Sequence, residues 1–165
     1  MAYMDPTMHP NEALLRDFYD AFSRRDGAAM AAAYAEDARF SDPVFPDLDG
    51  AAAGAMWRML TESGDDLRVE ADGFEADDTT GRARWQAYYG FGPQKRPVHN
   101  IITATFTFRD GKIATHRDDF DFWRWSRQAL GLPGVLLGWT PFIQSQVRTQ
   151  AARTLAKWRE KNTSQ

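Results

Sequence analysis

The stretch Thr103–Asp121 reads TATFTFRDGKIATHRDDFD, in which two segments alternate apolar and polar residues on either side of Asp110-Gly111. Alternation with a period of two is typical of a β-strand that buries one face. Asp-Gly is typical of a tight hairpin turn, because both central residues of such a turn need positive φ angles. The stretch therefore predicts two antiparallel strands, at about 97–108 and 112–122.

Two segments further upstream also alternate with a period of two and predict strands at about 67–77 and 81–91. In the strand at 81–91, Trp85 and Tyr89 share a face with two alanines. In the strand at 97–108, Asn100 is the one polar residue in an otherwise apolar row. These rows predict a sheet that turns one face towards a core.

Helices are predicted before and after these strands. Apolar residues three and four apart predict a helix from Asn11, as its cap, to about Arg25, and an alanine-rich helix follows at 28–38 with Met30 and Tyr34 on one face. A third helix spans about 51–62 and directs Met56 and Met59 inward, with Trp57 beside them. Thr140 and Pro141 predict the start of a C-terminal helix.

The order of these elements predicts an α+β fold, in which three N-terminal helices cover one face of a bent sheet. "ARFSDPVF" adds a short strand that Pro43 ends, because proline cannot donate to a strand ladder. Residues 1–10 are predicted to form a flexible arm, and residues 11–165 a single domain that includes the C-terminal helix.

Composition narrows the classes of function. The 165 residues include no cysteine and carry a net charge of -3, which disfavours thiolate chemistry and nucleic-acid binding. No apolar run reaches the roughly 20 residues that span a bilayer. We therefore expect a cytoplasmic protein with neither a membrane nor a nucleic acid as its partner. Six tryptophans and an aromatic content of 13% favour an apolar pocket for a small molecule, although a bulky core and a dimer face would also use them.

Asp42 is the first candidate for chemistry. It lies in an apolar setting at a strand end, where burial would raise the pKa of its carboxyl group and suit it to proton transfer near neutral pH. The alternative is structural, because an Asp before a Pro commonly initiates a turn and binds backbone amides.

His116 and Asp118 are the second candidate, since they fall on the same side of one strand and could share a proton. The alternative is a solvated run of charges, because Arg117 and Asp119 are their neighbours. His99 falls on the side opposite Asn100, so a metal site from these histidines would need ligands from both faces of the sheet. No dinucleotide, phosphate-loop or hydrolase motif occurs, and we expect neither a metal nor a cofactor.

The phrases FYDAFSRRD (18–26) and MAAAYAEDARFSDPVF (30–45), together with the hairpin, resemble the nuclear transport factor 2-like superfamily and its SnoaL-like and ketosteroid-isomerase-like branch. The resemblance covers about residues 11–128. It implies a conical barrel of a curved, mostly antiparallel sheet covered by three helices, with the C-terminal helix as an addition. It also implies an apolar internal pocket and a homodimer formed through the outer face of the sheet.

Three acids receive a role from this resemblance. Asp42 matches the general base of ketosteroid isomerases, Asp118 matches the acid-base residue of limonene epoxide hydrolase, and Asp121 is the alternative acid in SnoaL-like cyclases. Phe18 stands where the isomerases have the tyrosine of their oxyanion hole. The implied function is cofactor-free proton transfer on an apolar cyclic small molecule, by an isomerase, cyclase or hydrolase.

His116 would tune or relay the proton in such a reaction. The alternative to an enzyme is a non-catalytic module for ligand binding or dimerisation, which the missing oxyanion donor favours. The predicted ligand contacts are Phe18, Tyr34, Trp57, Trp85, Tyr89, Asn100 and Asp121.

Overall fold

The computed structural model describes residues 5–163 and contains six helices and six strands within them. The helices are α1 (Pro10–Ser23), α2 (Gly27–Ala32), α3 (Gly50–Ser63), α4 (Phe122–Leu130), α5 (Leu132–Leu137) and α6 (Pro141–Thr163). The strands are β1 (Tyr34–Ser41), β2 (Leu48–Asp49), β3 (Arg68–Ala76), β4 (Thr80–Phe91), β5 (Arg96–Arg109) and β6 (Lys112–Asp119). The first four residues of the predicted arm, 1–4, lie outside the described part of the chain.

The strands form one open sheet in the order β2-β1-β6-β5-β4-β3. Only β1 and β6 run parallel, and every other neighbouring pair is antiparallel. The predicted hairpin joins β5 to β6 through Asp110 and Gly111, whose φ angles are 53° and 75°. The prediction of an α+β fold with a mostly antiparallel sheet is therefore confirmed.

The core lies between the sheet and the three N-terminal helices. The predicted inner rows of β4 and β5 are buried, while their outward neighbours are more exposed, as the burial patterns of both strands show. Met56, Trp57 and Met59 of α3 and Phe18 and Phe22 of α1 fill the space opposite these rows. The alternation of the sequence thus identified the face of the sheet that packs against the helices.

α1 begins two residues earlier than predicted, because its cap is His9 and not Asn11. The His9 ring nitrogen Nδ1 accepts the backbone N–H of Asn11 at 3.0 Å. The Asn11 side chain is free of the capping role and donates to the backbone carbonyl of Asp77 at 3.0 Å. A buried asparagine thereby fastens the first helix to the β3–β4 connection.

The alanine-rich helix was predicted to reach residue 38, but α2 ends at Ala32 and Tyr34 begins β1. Met30 and Tyr34 therefore do not share a helical face. Pairing with β6 buries Tyr34 and Phe40 in the core, and this tertiary gain outweighs the helix propensity of the alanines around them.

The strand predicted at 112–122 ends at Asp119, and α4 and α5, which the sequence did not predict, follow it. α4 lies beside the part of β5 that β6 does not reach. There the Gln128 side chain accepts the backbone N–H of His99 at 2.6 Å, and Arg124 donates to the His99 carbonyl at 2.6 Å. Two side chains of α4 thus take the place of a missing strand.

We expect Gln128→Ala to lower the free energy of unfolding by about 1–2 kcal/mol, because it leaves a half-buried backbone N–H without an acceptor. Gln146→Ala, at an exposed position on α6, is the matched control and should change stability by less than about 0.5 kcal/mol. Urea unfolding of both variants measures the difference. Equal effects would show that the Gln128–His99 bond does not hold α4 to the sheet.

Candidate active site

The strand β6 directs His116 and Asp118 into the core, where their exposed fractions are only 1% and 2%. The imidazole nitrogen Nε2 of His116 lies 2.8 Å from Oδ1 of Asp118. The two side chains are two residues apart, so the pleat of a strand places both on one face. The alternative of a solvated run of charges is therefore wrong for His116 and Asp118. Arg117 and Asp119 do point outward, and they pair with each other.

The pair belongs to a longer buried chain of hydrogen bonds. Tyr34 Oη lies 2.7 Å from Nδ1 of His116, and Trp57 donates its indole N–H to the same hydroxyl at 2.8 Å. At the other end, Trp85 donates its indole N–H to Oδ1 of Asp118 at 3.3 Å. A neutral imidazole with its proton on Nε2 satisfies every donor in the chain, because the Tyr34 hydroxyl then donates to Nδ1.

Aromatic rings hold the imidazole in place. The ring centroids of Phe106, Phe40 and Phe18 lie 4.3, 4.9 and 5.8 Å from that of His116. Closely packed rings restrict rotation of the imidazole and exclude water from it. The chain of hydrogen bonds is therefore rigid and dry along the His116 side.

Tyr19 was not among the predicted site residues, because it lies next to Phe18 and is expected to point to a different side of α1. It is buried and its hydroxyl has no hydrogen-bond partner among the described residues 5–163. Burial, and secondarily the charge of Asp118, raises the pKa of Tyr19 well above its usual value. The spacing Leu15, Phe18, Tyr19, Phe22 on α1 was the available signal, since these positions form one wide helical stripe.

Asp42 follows β1 and combines both of the roles considered for it. Its Oδ1 accepts the backbone N–H groups of Val44 at 2.7 Å and Phe45 at 2.5 Å, as in a turn. Burial nevertheless raises the pKa of Asp42 to about 7, and the charge of Asp118 contributes to the rise while the two backbone bonds oppose it. A carboxyl group in this state exchanges protons near neutral pH.

The C-terminal helix fixes the turn that carries Asp42. Arg148 of α6 donates to the Pro43 carbonyl at 2.9 Å, and Gln144 donates to the same oxygen at 3.4 Å. The positive charge of Arg148 opposes the rise in the pKa of Asp42. The predicted helical extension is thus part of the wall around the second acid.

The remaining predicted ligand contacts fall in different places. Tyr89 is half-buried and accepts the indole N–H of Trp125 at 2.8 Å, and burial raises the pKa of Tyr89. Asn100 is buried on the inner face of β5. Asp121 is exposed and caps α4 by accepting the backbone N–H of Arg124 at 3.0 Å, so it lies outside the cluster. Of the two alternative acids, Asp118 is the one that faces inward.

In the described part of the chain, two hollows lie beside this cluster, and the lining of the first includes Phe40, Phe106 and His116. A groove of about 970 Å³ on the outer side of the sheet is lined by Arg39, Arg82 and Arg117 among others. A hollow of about 460 Å³ lies between α3 and α6, next to Arg58 and Trp158. The internal pocket therefore stays a prediction. Within residues 5–163, no three His, Cys, Asp or Glu side chains are grouped so that they could hold a metal ion.

Three helices over one face of an open, mostly antiparallel sheet, with ionisable groups between the two layers, define the class of nuclear transport factor 2-like cone folds. Residues 15–116 match the family model of the SnoaL-like domain, and the chain belongs to this family. The match ends at His116, so α4, α5 and α6 lie beyond it.

Solved structures with the same fold include proteins of different names. A protein of unknown function from Burkholderia pseudomallei, described as NTF2-like, is 22% identical, with a TM-score of 0.64 over 74% of this chain and 98% of that one. An LEH-like epoxide hydrolase of M. tuberculosis is 20% identical, with a TM-score of 0.61 over 79% and 98%.

A proposed polyketide cyclase from Xanthomonas campestris is 22% identical, with a TM-score of 0.61 over 73% of this chain and 96% of that one. No curated protein sequence is significantly similar to the chain. At these identities the structures establish the fold that the chain shares with them.

We expect Tyr34→Phe to lower the free energy of unfolding by about 2 kcal/mol, because it removes the acceptor of the Trp57 N–H and the partner of His116 Nδ1 in a buried site. Tyr88→Phe is the control, since the Tyr88 hydroxyl makes one long bond of 3.3 Å to Gln86. Chemical denaturation of both variants tests the expectation. A loss no larger than that of the control would mean that the buried chain of hydrogen bonds contributes little.

The raised pKa of Asp42 predicts how stability changes with pH. The folded protein keeps this proton up to about pH 7, whereas the unfolded chain releases it near pH 3.8. The contribution of Asp42 to stability is therefore complete below pH 3.8 and is lost as the pH rises through about 7.

Asp42→Asn removes this dependence. Relative to the parent protein, the variant should gain up to about 2 kcal/mol of stability between pH 4 and pH 8, a value reduced for the partial exposure of the side chain. Asp49→Asn, at the exposed cap of α3, should show no such trend. Urea unfolding of the variants and the parent protein at a series of pH values measures these differences. Parallel plots of stability against pH for Asp42→Asn and the parent would contradict a raised pKa of Asp42.

Proposed function

We propose that the protein is an enzyme that moves protons on an apolar, cyclic, oxygen-bearing small molecule without a cofactor. Asp118 is the base and Asp42 is the acid in this proposal. The observation that carries it is the buried His116–Asp118 pair at 2.8 Å, which brings a carboxyl group and an imidazole together between the helices and the sheet.

Asp118 is suited to the role of base by the way its carboxylate is held. His116 and Trp85 both donate to Oδ1, which leaves Oδ2 as the oxygen that meets a substrate. A proton taken from the substrate stays on Oδ2 of Asp118, while the Nε2–H of His116 continues to donate to Oδ1. Tyr34 donates to Nδ1 and thereby keeps the imidazole in this tautomer.

Asp42 is suited to the role of acid because its pKa of about 7 leaves it partly protonated at neutral pH. Two carboxyl groups whose surroundings separate their protonation states are a common arrangement for acid-base catalysis. The Tyr19 hydroxyl, which lacks a partner, offers a second donor for an oxygen that becomes negatively charged. It would replace the donor that Phe18 cannot supply.

The class of substrate follows from the walls of the site. Phe18, Phe74 and Trp85 surround the Tyr19 ring at centroid distances between 5.1 and 6.1 Å, so a ligand admitted between α1 and the sheet would contact aromatic rings. Such walls favour a flat or cyclic hydrocarbon skeleton with few polar groups. The names of two structural neighbours, an epoxide hydrolase and a proposed polyketide cyclase, are in keeping with this class.

A second candidate function is supported by the geometry of Asp42. Both backbone N–H groups of the turn bind its Oδ1, which is what a purely structural aspartate would do. The protein would then bind the same class of ligand without changing it. Both proposed functions include a homodimer formed through the outer face of the sheet.

Two probes test the proposal, namely decalone for exchange of α-hydrogens in D₂O, followed by NMR, and limonene oxide for hydrolysis, followed by gas chromatography. We expect turnover of at least one probe, and a loss of about 100-fold or more in kcat for Asp118→Asn and for Asp42→Asn. Asp121→Asn is the matched control, because this acid caps α4 on the surface and Asn caps equally well.

Binding of a probe is measured in parallel by tryptophan fluorescence, since Trp57 and Trp85 are part of the site. Saturable binding with no conversion of either probe would favour the non-catalytic function. Full turnover by Asp118→Asn would overturn the assignment of the base. Equal losses in Asp121→Asn would show that the effect is not specific to the buried acids.

A further inference from the structure

The surface around α5 is apolar and exposed. Seven large apolar side chains form what we call the apolar ridge: Trp123, Leu132, Val135, Leu136, Leu137, Trp139 and Phe142. Leu136 and Trp139 are 60% and 68% exposed. Within residues 5–163 only one other large apolar side chain, Ile101, is comparably exposed. A concentrated patch of this kind marks a surface that another apolar phase covers.

The helix α5 is oriented with its small residues inward. Gly134 and Gly138 face Ser126 of α4 so closely that a Cβ on either would lie 1.9 Å from a Ser126 oxygen. Helices that contribute to a core do the opposite and bury their large apolar residues. The leucines of α5 are therefore turned outward by the packing of the helix itself.

The polar atoms of the apolar ridge are satisfied within the chain. Trp123 donates its indole N–H to the Val135 carbonyl at 3.3 Å, and Trp139 donates to the Leu136 carbonyl at 3.1 Å. Arg127 lies over the Trp123 ring at 4.5 Å. The ridge consequently presents ring and aliphatic surface that needs no water, with a cation at its border.

The distribution of charge along the chain indicates which kind of surface covers the apolar ridge. Residues 122–165 contain seven Lys or Arg residues and one Asp or Glu residue, which gives a net charge of +6. Residues 1–121 contain 13 Lys or Arg residues and 22 Asp or Glu residues, which gives a net charge of -9. Residues 128–147, which include the ridge apart from Trp123, carry no charge at all. In a symmetric dimer through the ridge, the two basic segments would face each other and repel. An anionic surface complements them.

We propose that the apolar ridge inserts into the headgroup zone of a membrane that contains anionic lipid. The exposed basic residues of α4 and α6 then contact the lipid charges, namely Arg127, Arg153, Lys157, Arg159 and Lys161. Leucine and tryptophan at this depth, bordered by Arg and Lys, are typical of proteins that lie on a bilayer. No described helix is long and apolar enough to cross a membrane, and surface insertion does not require one. The expectation of no membrane partner rested on the absence of a spanning segment, and the proposal is independent of any reaction at Asp118.

The test is sedimentation of the full chain with large vesicles of phosphatidylcholine alone and of phosphatidylcholine with one quarter phosphatidylglycerol. We expect binding to both, about tenfold or more tighter to the anionic vesicles at low salt, and a smaller preference in 0.5 M NaCl. A blue shift of tryptophan emission should accompany binding, because Trp123 and Trp139 would enter an apolar phase.

The variant Leu132→Ser/Leu136→Ser should bind both vesicle types about tenfold or more weakly, with an unchanged circular dichroism spectrum, since both side chains are exposed. Ile101→Ser is the matched control on the sheet and should bind like the parent. Absence of binding to either vesicle overturns the proposal. So does a dimer, detected by light scattering, that the double serine variant dissociates, because a second copy of the chain would then cover the ridge.

Discussion

A carboxylate and an imidazole are buried side by side on β6, and neither can lose the other without leaving a polar atom in an apolar interior. Satisfying His116 and Asp118 determines much of what surrounds them. Tyr34 must start a strand and not end a helix if its hydroxyl is to reach the imidazole, and Trp57 of α3 must then face that hydroxyl. The polar chain thereby links α3 to the strands β1, β4 and β6 and fixes their relative positions.

The periodic part of the sequence predicted the fold well. Alternation located β4, β5 and β6 and identified their inner faces, because a strand has one side-chain period and one buried side. The end of β6 and the start of β1 were wrong, since both depend on which neighbour each backbone segment finds. Ala33 and Ala35 favour a helix locally, but Tyr34 gains more by pairing beside Ile113.

The sequence predicted the acids of the site and Tyr34, but it did not predict Tyr19. Asp42, His116 and Asp118 could be recognised from neighbouring residues in the sequence, since a strand face and an Asp-Pro turn are local features. Tyr19 acquires its importance only when α1 packs on β3 and β4, which brings its ring next to Phe74 and Trp85. α4 and α5 escaped prediction because their positions depend on a gap beside β5 and on the glycines of α5, which are long-range features of the fold.

The bonds from α4 to His99 have a consequence for assembly. An unpaired strand offers its amides and carbonyls to any other extended chain, and β5 would do so along its first residues. Gln128 and Arg124 occupy these groups, β2 is two residues long, and the outer strand β3 carries Arg68, Glu70 and Asp72 next to an irregularity in its pairing. The borders of the sheet thus resist growth into fibrils, and association with other molecules is directed to side-chain surfaces.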